Sequence, residues 1–321
     1  MADINVGAIV ATTLRKHRRE LADNVTQHNA LLKRIEERGN LKESVSGGRT
    51  IFEPLIHGTN SSVKFYDGYE TFTPPTDIQE TVDGAEFNWK QLGGFLAISG
   101  KEMAMNSGAA RIIDLAEARM KQLKAQMRNT AAVSVYSNGT GTAGKEFGGL
   151  QLLIADAPSG AGTVGGIDQA ANAFWRNQVT PAVVGTPLTS ATIKPAMSSM
   201  WLRTIRGTDK PDLILADSVM FSLYETSLQD QARFTDPKRA DAGFVELAYK
   251  TAAVTYDDNC PAKHMYFVNT ESISFRYSAG RFFSVGDSRE IQNADYTVTP
   301  VWVMGNLTIN NRGLNGVIIT A

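Results

Sequence analysis

The sequence predicts an α+β fold, and three observations support this prediction. An extended, turn-rich segment from Thr50 to Ala97 leads directly into a stretch from Ala109 to Tyr136 that contains neither Gly nor Pro. Beyond Leu150, strand-like and helix-like segments are grouped and do not alternate regularly, which favours α+β over a doubly wound sheet. At 321 residues and 42% hydrophobic content, the chain can also bury a substantial core.

The N-terminal residues, 1–46, are predicted to form an arm with two short helices. Apolar residues recur at helical spacing from Val6 to Leu14, and again from Leu31 to Ile35 before a stop at Gly39. A basic run follows the first stripe and consists of Arg15, Lys16, Arg18 and Arg19. Two interpretations remain open for this run: a solvated helix face, or a contact with DNA or an acidic partner.

Residues 47–97 are predicted to form an extended β-hairpin loop. Thr50 to Ile56 and Val63 to Tyr69 have strand-like composition, and the alternation around Phe87 and Trp89 predicts a returning strand. Two isolated strands bury too little apolar surface to offset the backbone entropy that they lose. The loop is therefore expected to lie on another surface, most economically on another copy of the same chain.

The stretch from Ala109 to Tyr136 is predicted to form one long helix of roughly 40 Å, at 1.5 Å per residue. Ser137, Asn138 and Gly139 are its predicted stop. Its apolar stripe consists of Ile112, Ala116, Met120, Leu123 and Met127, with Ile113 beside it.

The remainder of the chain is predicted to be mixed α/β. The run LQLLIAD, from Leu150 to Asp156, predicts a strand, and a Gly-rich loop follows it. Helices are predicted at Ala191 to Arg206 and at Ser218 to Gln231, and strands at Pro211 to Ala216, Ala252 to Tyr256, Met265 to Val268, Ile273 to Tyr277, Tyr296 to Ile309 and Gly316 to Ile319.

Composition narrows the possible functions. A net charge of −1, from 32 basic and 33 acidic residues, argues against a dedicated nucleic-acid binder. No apolar run reaches the ~20 residues that cross a bilayer, and the order of basic and apolar residues at the start is the reverse of a secretory signal. We therefore expect a protein made in a cytosol-like compartment, with no membrane partner. Cys260, the single cysteine, lies in the turn-like context DDNCP and is interpreted as incidental.

One segment resembles a nucleotide-binding motif. GTGTAGKE, from Gly139 to Glu146, is one residue short of a phosphate-binding P-loop. A P-loop needs a preceding strand, a following helix and a Ser or Thr after the Lys, but Glu146 occupies that last position. The segment is interpreted as a connecting loop, with a nucleotide-binding enzyme as a disfavoured alternative.

Other patterns give no catalytic or metal site. The four histidines lack metal-ligand spacing. The adjacent Asp257 and Asp258 are expected to point to opposite sides of a strand or to cap a turn, and not to form an acid/base pair. We therefore expect a structural protein, not an enzyme, with no cofactor.

Four stretches together resemble the tailed-bacteriophage major capsid proteins of the Hong Kong 97 type. They are RGNLKESVSGGRTIFEPLIHG, FNWKQLGGFLAISGKEMAMNSG, GGIDQAANAFWRNQ and WVMGNLTINNRGLNGVIIT, and the similarity in the order of parts covers essentially the whole chain. The resemblance implies an N-terminal arm (1–46), an extended loop (47–97), a peripheral domain with a spine helix (98–148 and 286–321) and an axial domain (149–285).

The resemblance also implies what the chain does. It would form hexamers and pentamers of an icosahedral shell around double-stranded DNA, assembled in a host bacterial cytoplasm with separate scaffold and portal proteins. The extended loop would lie over a neighbouring subunit through Lys64, Phe65, Tyr66, Tyr69 and Phe72, and the basic run would face DNA or scaffold. Some family members crosslink a loop Lys to an Asn. Lys64 and Asn60 lie in this loop, but no catalytic carboxylate aligns, so crosslinking is not carried over. An encapsulin-like compartment of the same fold, holding protein cargo, is the alternative.

Overall fold

The computed structural model describes residues 29–44, 48–56, 63, 65–70, 82–105, 109–183, 185–228 and 246–321. Within these ranges the chain is a mixed α+β protein built on two six-stranded sheets and one long helix. The helices are α1 (Ala30–Glu37), α2 (Gly100–Met105), α3 (Ala109–Val135), α4 (Leu150–Leu153), α5 (Ile193–Thr204) and α6 (Ser218–Ser227). Short 3₁₀ turns lie at Ala173–Trp175, Ala279–Arg281 and Arg312–Leu314.

The strands fall into two large sheets and two small ones. The first large sheet contains β1 (Leu41–Ser44), β4 (Lys90–Ser99), β12 (Ile273–Ser278), β13 (Ser284–Val285), β14 (Arg289–Glu290) and β15 (Tyr296–Ile309). The second has the order β7 (Gln178–Thr180), β16 (Gly316–Ile319), β11 (His264–Val268), β8 (Leu213–Ala216), β10 (Ala252–Tyr256) and β9 (Glu246–Tyr249). The hairpin β2 (Thr50–Ile56) with β3 (Val82–Asn88) forms the base of the extended loop, and β5 (Thr163–Val164) with β6 (Ile167–Asp168) forms a short second hairpin.

The helix α1 begins and ends where its sequence signals predict. Asn29 caps it, because its side-chain oxygen accepts hydrogen bonds from the amides of Leu31 and Leu32. Gly39 ends it with a left-handed φ of +70°, and the amide of Asn40 reaches back to the Ile35 carbonyl at 2.9 Å. The other predicted helix of the N-terminal arm lies outside the described residues.

The long helix α3 confirms the central element of the sequence prediction. Its 27 residues end at Val135, one residue before the predicted end, and Gly139 adopts a left-handed φ of +75° just beyond it. Of the predicted stripe, Met120, Leu123 and Met127 are buried, and the side chains of Ile112, Ile113 and Ala116 lie outside the described part of the structure. This face packs on β4, which pairs antiparallel with β15 over ten residues and so joins the helix to the first sheet.

Two apolar cores meet at the second sheet. One face of this sheet packs against α5 and α6 through Met197, Trp201 and Met220. The opposite face joins a larger core that also contains α1, the inner face of α3 and the base of the extended loop. The second sheet is therefore buried on both sides, which fits the continuous apolar pattern of Leu213–Ala216.

Several local predictions need correction. Leu150–Leu153 is a short helix and not a strand, because an apolar run of this length has no diagnostic period and Gly149 leads into it with the amides of Leu152 and Leu153 bonded to its carbonyl. The helix predicted from Ser218 to Gln231 ends at Ser227. The later strands, including Ala252–Tyr256, Tyr296–Ile309 and Gly316–Ile319, are confirmed.

Candidate assembly surfaces

The described part of the extended-loop tip exposes its aromatic side chains. Phe65 and Tyr69 are fully exposed, at 104% and 106% of their reference areas, and Tyr66 is 64% exposed. The strand predicted from Val63 to Tyr69 is wrong at the described positions, because Asp67 turns the chain there. Its side chain accepts from the Gly68 amide at 2.8 Å, and its carbonyl accepts from the Glu70 amide at 2.9 Å. Lys64 and Phe72, the other predicted contact residues, lie outside the described residues.

The base of the same loop is held by a buried charged group. The Glu53 carboxylate on β2 accepts two hydrogen bonds from the guanidinium of Arg276 on β12, at 2.7 and 3.0 Å. It also accepts one from the hydroxyl of Thr308 on β15, at 2.9 Å. Because Glu53 is only 6% exposed, these bonds offset the desolvation of its charge. The hairpin is thereby fixed to the first sheet.

Apolar packing reinforces this anchor. The inward face of the β2–β3 hairpin is buried in the larger core and consists of Ile51, Leu55, Ala85 and Phe87. The β5–β6 turn closes against β3, where the Glu86 amide donates to the Gly165 carbonyl at 2.9 Å. A Cβ on Gly165 would lie 2.9 Å from the Ala85 Cβ, so only glycine permits this approach at its φ of +60°. The base is therefore part of the subunit's own core, while the described tip aromatics are not.

The P-loop-like segment has a geometry that disfavours phosphate binding. Thr142 and Ala143 both have left-handed backbone angles, with φ of 49° and 56°. The Glu146 carboxylate folds into this turn, accepting from the Ser137 hydroxyl at 2.7 Å and from the Thr142 hydroxyl at 3.0 Å. An acidic group thus occupies the position where a phosphate-binding loop presents amides and a hydroxyl. The predicted role as a connecting loop, between α3 and α4, fits this arrangement.

The residues around Cys260 form a structural cluster. Burial, together with the nearby Asp217 and Asp257, raises the pKa of the Cys260 thiol, so it stays protonated and poorly nucleophilic. Asp257 caps a turn by accepting from the Asn259 amide at 3.0 Å, which is one of the two arrangements that its sequence context predicts. It also accepts from the Tyr136 hydroxyl at 2.7 Å. Burial raises the pKa of Tyr136 well above its ordinary value, and Asp257 adds to the shift.

His264 links β11 to the segment that follows α4. Its Nε2 lies 3.2 Å from the Asp156 carboxylate, and its Nδ1 lies 2.6 Å from the Ala262 carbonyl. Burial acts to lower the pKa of His264, but the bonds to Asp156 and Ala262 outweigh it and raise the pKa above the ordinary value. The protonated ring donates both bonds, so the link is strongest when His264 is charged.

Three buried polar residues near the C-terminus join distant segments of the chain, and no sequence pattern predicted this role. Arg312 is fully buried and donates to the carbonyls of Leu153 and Trp175 and to the side-chain oxygens of Gln169 and Asn177, at 2.8–3.1 Å. Burial lowers its pKa to about 10, which leaves it protonated at neutral pH.

Two asparagines of the same C-terminal stretch act in a similar way. Asn306 accepts from the Gly148 amide and donates to the Asn88 carbonyl, both at 2.8 Å. Asn315 accepts from the Asn269 amide and donates to the Ser272 hydroxyl, both at 2.8 Å. The only sequence signal for these roles is the high polar content of NLTINNRGLNG next to buried strands.

Two other kinds of site are absent from the described ranges. There, no cluster of three or more His, Cys, Asp or Glu side chains is arranged to hold a metal ion. Among the helices that the structure describes, none combines the length and the apolar character needed to cross a membrane. The basic run of Arg15, Lys16, Arg18 and Arg19 lies outside the described residues.

Comparison with solved structures identifies the fold. The chain is similar to the capsid subunit of cyanophage A-1(L), with a TM-score of 0.65 and 17% identity over 89% of this chain and 92% of that one. It is also similar to the capsid protein of the Myoviridae phage XM1, with a TM-score of 0.54 and 11% identity over 89% and 91% of the two chains. A third match is the SrpI encapsulin of Synechococcus elongatus, with a TM-score of 0.51 and 10% identity over 89% and 86%. The fold is therefore that of the Hong Kong 97-type shell proteins.

The sequence itself places the chain in one branch of that fold. The SU10 major capsid protein family model matches residues 95–296, which is more than half of the chain. The protein belongs to the SU10 major capsid protein family and is a bacteriophage coat protein, a structural component of the virion. No curated protein matches the sequence.

Proposed function

We propose that this coat protein forms hexamers and pentamers of a closed icosahedral shell around double-stranded DNA, with its extended loop as the clamp between neighbouring subunits. The observation that supports the role as a clamp is the contrast between the base and the tip of the loop. Its base is bonded into the subunit core through Glu53 and Arg276, while Phe65 and Tyr69 at its tip are fully exposed. Exposed aromatic side chains on an anchored support are typical anchors of protein interfaces.

The energetics favour many modest contacts. Each association event must offset several kcal/mol or more of lost translational and rotational freedom. Burial of aromatic surface at roughly 25 cal/mol per Å² contributes to this, and closure of a shell multiplies the effect through avidity. A loop whose base is already ordered loses less entropy on docking than a free one. The net charge of −1 also limits repulsion between subunits packed side by side.

The two large sheets provide a basis for the proposed domains. We assign the first sheet and the long helix to the peripheral domain (98–148 and 286–321) and the second sheet with α5 and α6 to the axial domain (149–285). The arm (1–46) and the extended loop (47–97) complete the subunit. Five strands cross these boundaries: β1, β4, β12 and β13 pair within the first sheet and β16 within the second, which ties the units closely together.

The partners beyond the chain itself follow from the same proposal. The basic run of Arg15, Lys16, Arg18 and Arg19 would face DNA or an acidic scaffold, and separate scaffold and portal proteins would direct assembly in the host bacterial cytoplasm. Reversal of these four charges is expected to reduce particle yield or DNA content without changing the melting temperature of the subunit. Unchanged particle yield, DNA content and salt sensitivity would contradict this contact and would indicate that the run is a solvated helix face.

Two measurements test the shell and its content. Negative-stain electron microscopy of the purified protein is expected to show closed particles, and a soluble monomer under all assembly conditions would contradict the proposal. Particles recovered from the natural host are expected to protect double-stranded DNA from nuclease. Particles that protect a protein cargo and no DNA would instead support the encapsulin-like alternative.

A further inference from the structure

The dipeptide Asn138–Gly139 lies in the exposed turn that follows the long helix α3. An Asn before a Gly can lose its side-chain amide, because the next backbone nitrogen closes a five-membered ring on the Asn Cγ and Gly has no Cβ to obstruct the approach. Asn138 is exposed, and Gly139 adopts a left-handed φ of +75°. The turn therefore holds both reacting atoms within reach of water.

The side-chain carbonyl of Asn138 is held by two donors of the same residue. Its Oδ1 accepts from the Thr140 amide at 3.0 Å and from the Thr140 hydroxyl at 2.7 Å. Attack on the Asn138 Cγ places a negative charge on this oxygen, and donors already aimed at the oxygen stabilise that charge as it develops. The turn thus activates the Asn138 side chain as an electrophile.

The Gly139 nitrogen lies at the end of a chain of hydrogen bonds that can carry its proton away. Its amide donates to the Ser137 Oγ at 2.9 Å, and the Ser137 hydroxyl donates to the Glu146 carboxylate at 2.7 Å. An amide nitrogen becomes a nucleophile as its proton leaves, and Ser137 can take that proton while it passes its own to the carboxylate. The Thr142 hydroxyl holds the other Glu146 oxygen, at 3.0 Å. The chain thus supplies a base where a free peptide depends on hydroxide.

We propose that Asn138 is a self-modifying site, at which the folded subunit converts this asparagine to aspartate or isoaspartate without an enzyme. The Gly139 nitrogen forms a bond to the Asn138 Cγ, and its proton moves to Ser137 as the Ser137 proton moves to Glu146. The bond between Cγ and Nδ2 then breaks, and Nδ2 takes up this proton and leaves as ammonia. Water opens the resulting cyclic imide at either carbonyl, so the conversion consumes water, releases ammonia and involves no change of oxidation state.

The same dipeptide occurs again as Asn315–Gly316, in surroundings that oppose the reaction. Asn315 is 0% exposed, and its Nδ2 donates to the Ser272 hydroxyl at 2.8 Å and to the Asn311 carbonyl at 2.9 Å. Gly316 is fixed in β16 between β11 and β7. The Asn315 side chain therefore cannot turn towards the Gly316 nitrogen without breaking buried bonds. This second dipeptide is an internal control within the same molecule.

The modification would change the charge at one end of α3. Each conversion adds a carboxylate just beyond the C-terminus of the helix, where the helix dipole disfavours negative charge. Isoaspartate also lengthens the backbone of the turn, because the chain then continues through the former side chain. The inference goes beyond the proposed function and does not depend on it, since the reacting groups all belong to one subunit.

Peptide mapping by mass spectrometry tests the proposal on free, folded subunits incubated at neutral pH. Asn138 is expected to convert at least about tenfold faster in the folded subunit than in a synthetic peptide of residues 134–143, which lacks Glu146. Asn315 is expected to remain unmodified in the same sample. A rate at Asn138 equal to that of the peptide, or below it, would overturn the proposal.

Variants distinguish the proton relay from simple exposure of the turn. Glu146→Gln keeps the size of the side chain but cannot take the proton, and Thr140→Val removes one donor to Oδ1. Each is expected to slow the conversion at least about tenfold. If these residues only held the turn, their loss would loosen it and speed the conversion, so an unchanged or higher rate in either variant would overturn the proposal. Lys145→Ala, at the exposed neighbouring position, is the matched control and should leave the rate unchanged.

The Asn315 control also reports on folding in each variant. Asn315 stays protected only while the subunit is folded, so its lack of conversion excludes unfolding as the cause of a slower rate at Asn138. A variant in which Asn315 converts is unfolded, and the test then rests on the other variant and on the comparison with the peptide.

The pH profile provides a readout that a purely structural role of Glu146 would not change. Conversion that depends on hydroxide rises about tenfold per pH unit, whereas a carboxylate relay should keep the wild-type rate nearly level between about pH 6 and 8. The other charged groups at the turn are Lys145 and Lys90, whose Nζ bonds to the Gly144 carbonyl. Glu146→Gln is expected to restore the slope of the peptide. A wild-type slope equal to that of the peptide would contradict the relay.

Discussion

The carboxylate of Glu53 and the guanidinium of Arg276 form a two-bond ion pair, at 2.7 and 3.0 Å, that joins the extended loop to the first sheet across 223 positions of sequence. Glu53 faces inwards on β2, while its neighbour Phe52 faces outwards and is 59% exposed. The alternation of a strand thus separates an anchoring face from a solvent face. This pair fixes the base of the extended loop to the first sheet.

The first prediction concerns this pair. Glu53→Gln leaves Arg276 without its counter-ion in a largely buried site, and we expect a loss of about 3 kcal/mol in the free energy of unfolding. Glu86→Gln, on the exposed face of the same hairpin, is the matched control and should cost less than about 0.5 kcal/mol. Chemical denaturation measures both. Equal effects of the two substitutions would show that the pair does not anchor the hairpin.

The buried Arg312 provides the second prediction. Arg312→Lys keeps the charge but cannot reach the four acceptors on Leu153, Gln169, Trp175 and Asn177 together. We expect a loss of about 3–5 kcal/mol, because several buried acceptors lose their donors. Denaturant unfolding of the variant is the measurement, with Arg206→Lys at an exposed turn as control. A cost below about 1 kcal/mol would contradict the role of Arg312 as a structural joint.

Sequence patterns predicted the elements with strong periodicity or strong stop signals. The long helix was predicted within one residue, because a stretch without Gly or Pro ends at Ser137, Asn138 and Gly139. The complete strand β4 was not predicted, because Gly93 and Gly94 lower its strand propensity. Those glycines are required by tertiary contacts: a Cβ on Gly93 would lie 2.7 Å from the Trp302 ring, and one on Gly94 would lie 2.6 Å from Leu123. Such contacts join distant parts of the chain and leave no local pattern.

The candidate assembly surfaces were predicted less completely than the fold. Exposed loop aromatics such as Phe65 could be proposed as contact residues, because their segment has too few apolar residues to form a core of its own. The hydrogen-bond partners of Glu53 and Arg312 could not be predicted, because an isolated charged residue in a strand or turn is normally solvent-exposed. The position of β4 at the border of the first sheet depends on the pairing order of that sheet, which no single segment encodes.

The third prediction concerns pH. The pKa of His264 in the folded protein lies above its ordinary value of 6.5, so the charged ring is favoured by folding. Its contribution is therefore complete below about pH 6.5 and is lost as pH rises through the folded pKa. Because Asp156 is half exposed, we expect an effect below about 1 kcal/mol. Denaturation curves between pH 6 and 8 should flatten in Asp156→Asn. An unchanged pH slope in that variant would show that the pair is not the titrating link.

The fourth prediction addresses the P-loop-like turn. Lys145→Ala should change stability by less than about 0.5 kcal/mol and leave shell formation unchanged. Glu146→Ala should cost about 1–2 kcal/mol, because it removes the acceptor of the Ser137 and Thr142 hydroxyls that supports a left-handed turn. Denaturation and titration with labelled ATP measure these effects. Saturable, magnesium-dependent ATP binding that Lys145→Ala abolishes would overturn the structural interpretation of this turn.

The fifth prediction tests the loop clamp, and the structure determines how to make the change. Ile56 and Val82 are paired at the end of the β2–β3 hairpin, so residues 57–81 can be replaced by Asn-Gly, a two-residue hairpin turn. This change removes the tip aromatics and keeps the buried base, including Glu53, Ala85 and Phe87. The subunit is therefore expected to fold and melt close to wild type. A paired substitution, Phe65→Ala with Tyr66→Ala, should weaken shells in the same direction, by up to several kcal/mol for each interface anchor.

Electron microscopy of the Asn-Gly variant, under conditions in which the wild type forms closed particles, is the most direct measurement of the central claim. The account predicts folded subunits and open or incomplete assemblies with no closed shells. Closed particles of normal size and yield from the variant would contradict the claim that the extended loop clamps neighbouring subunits together.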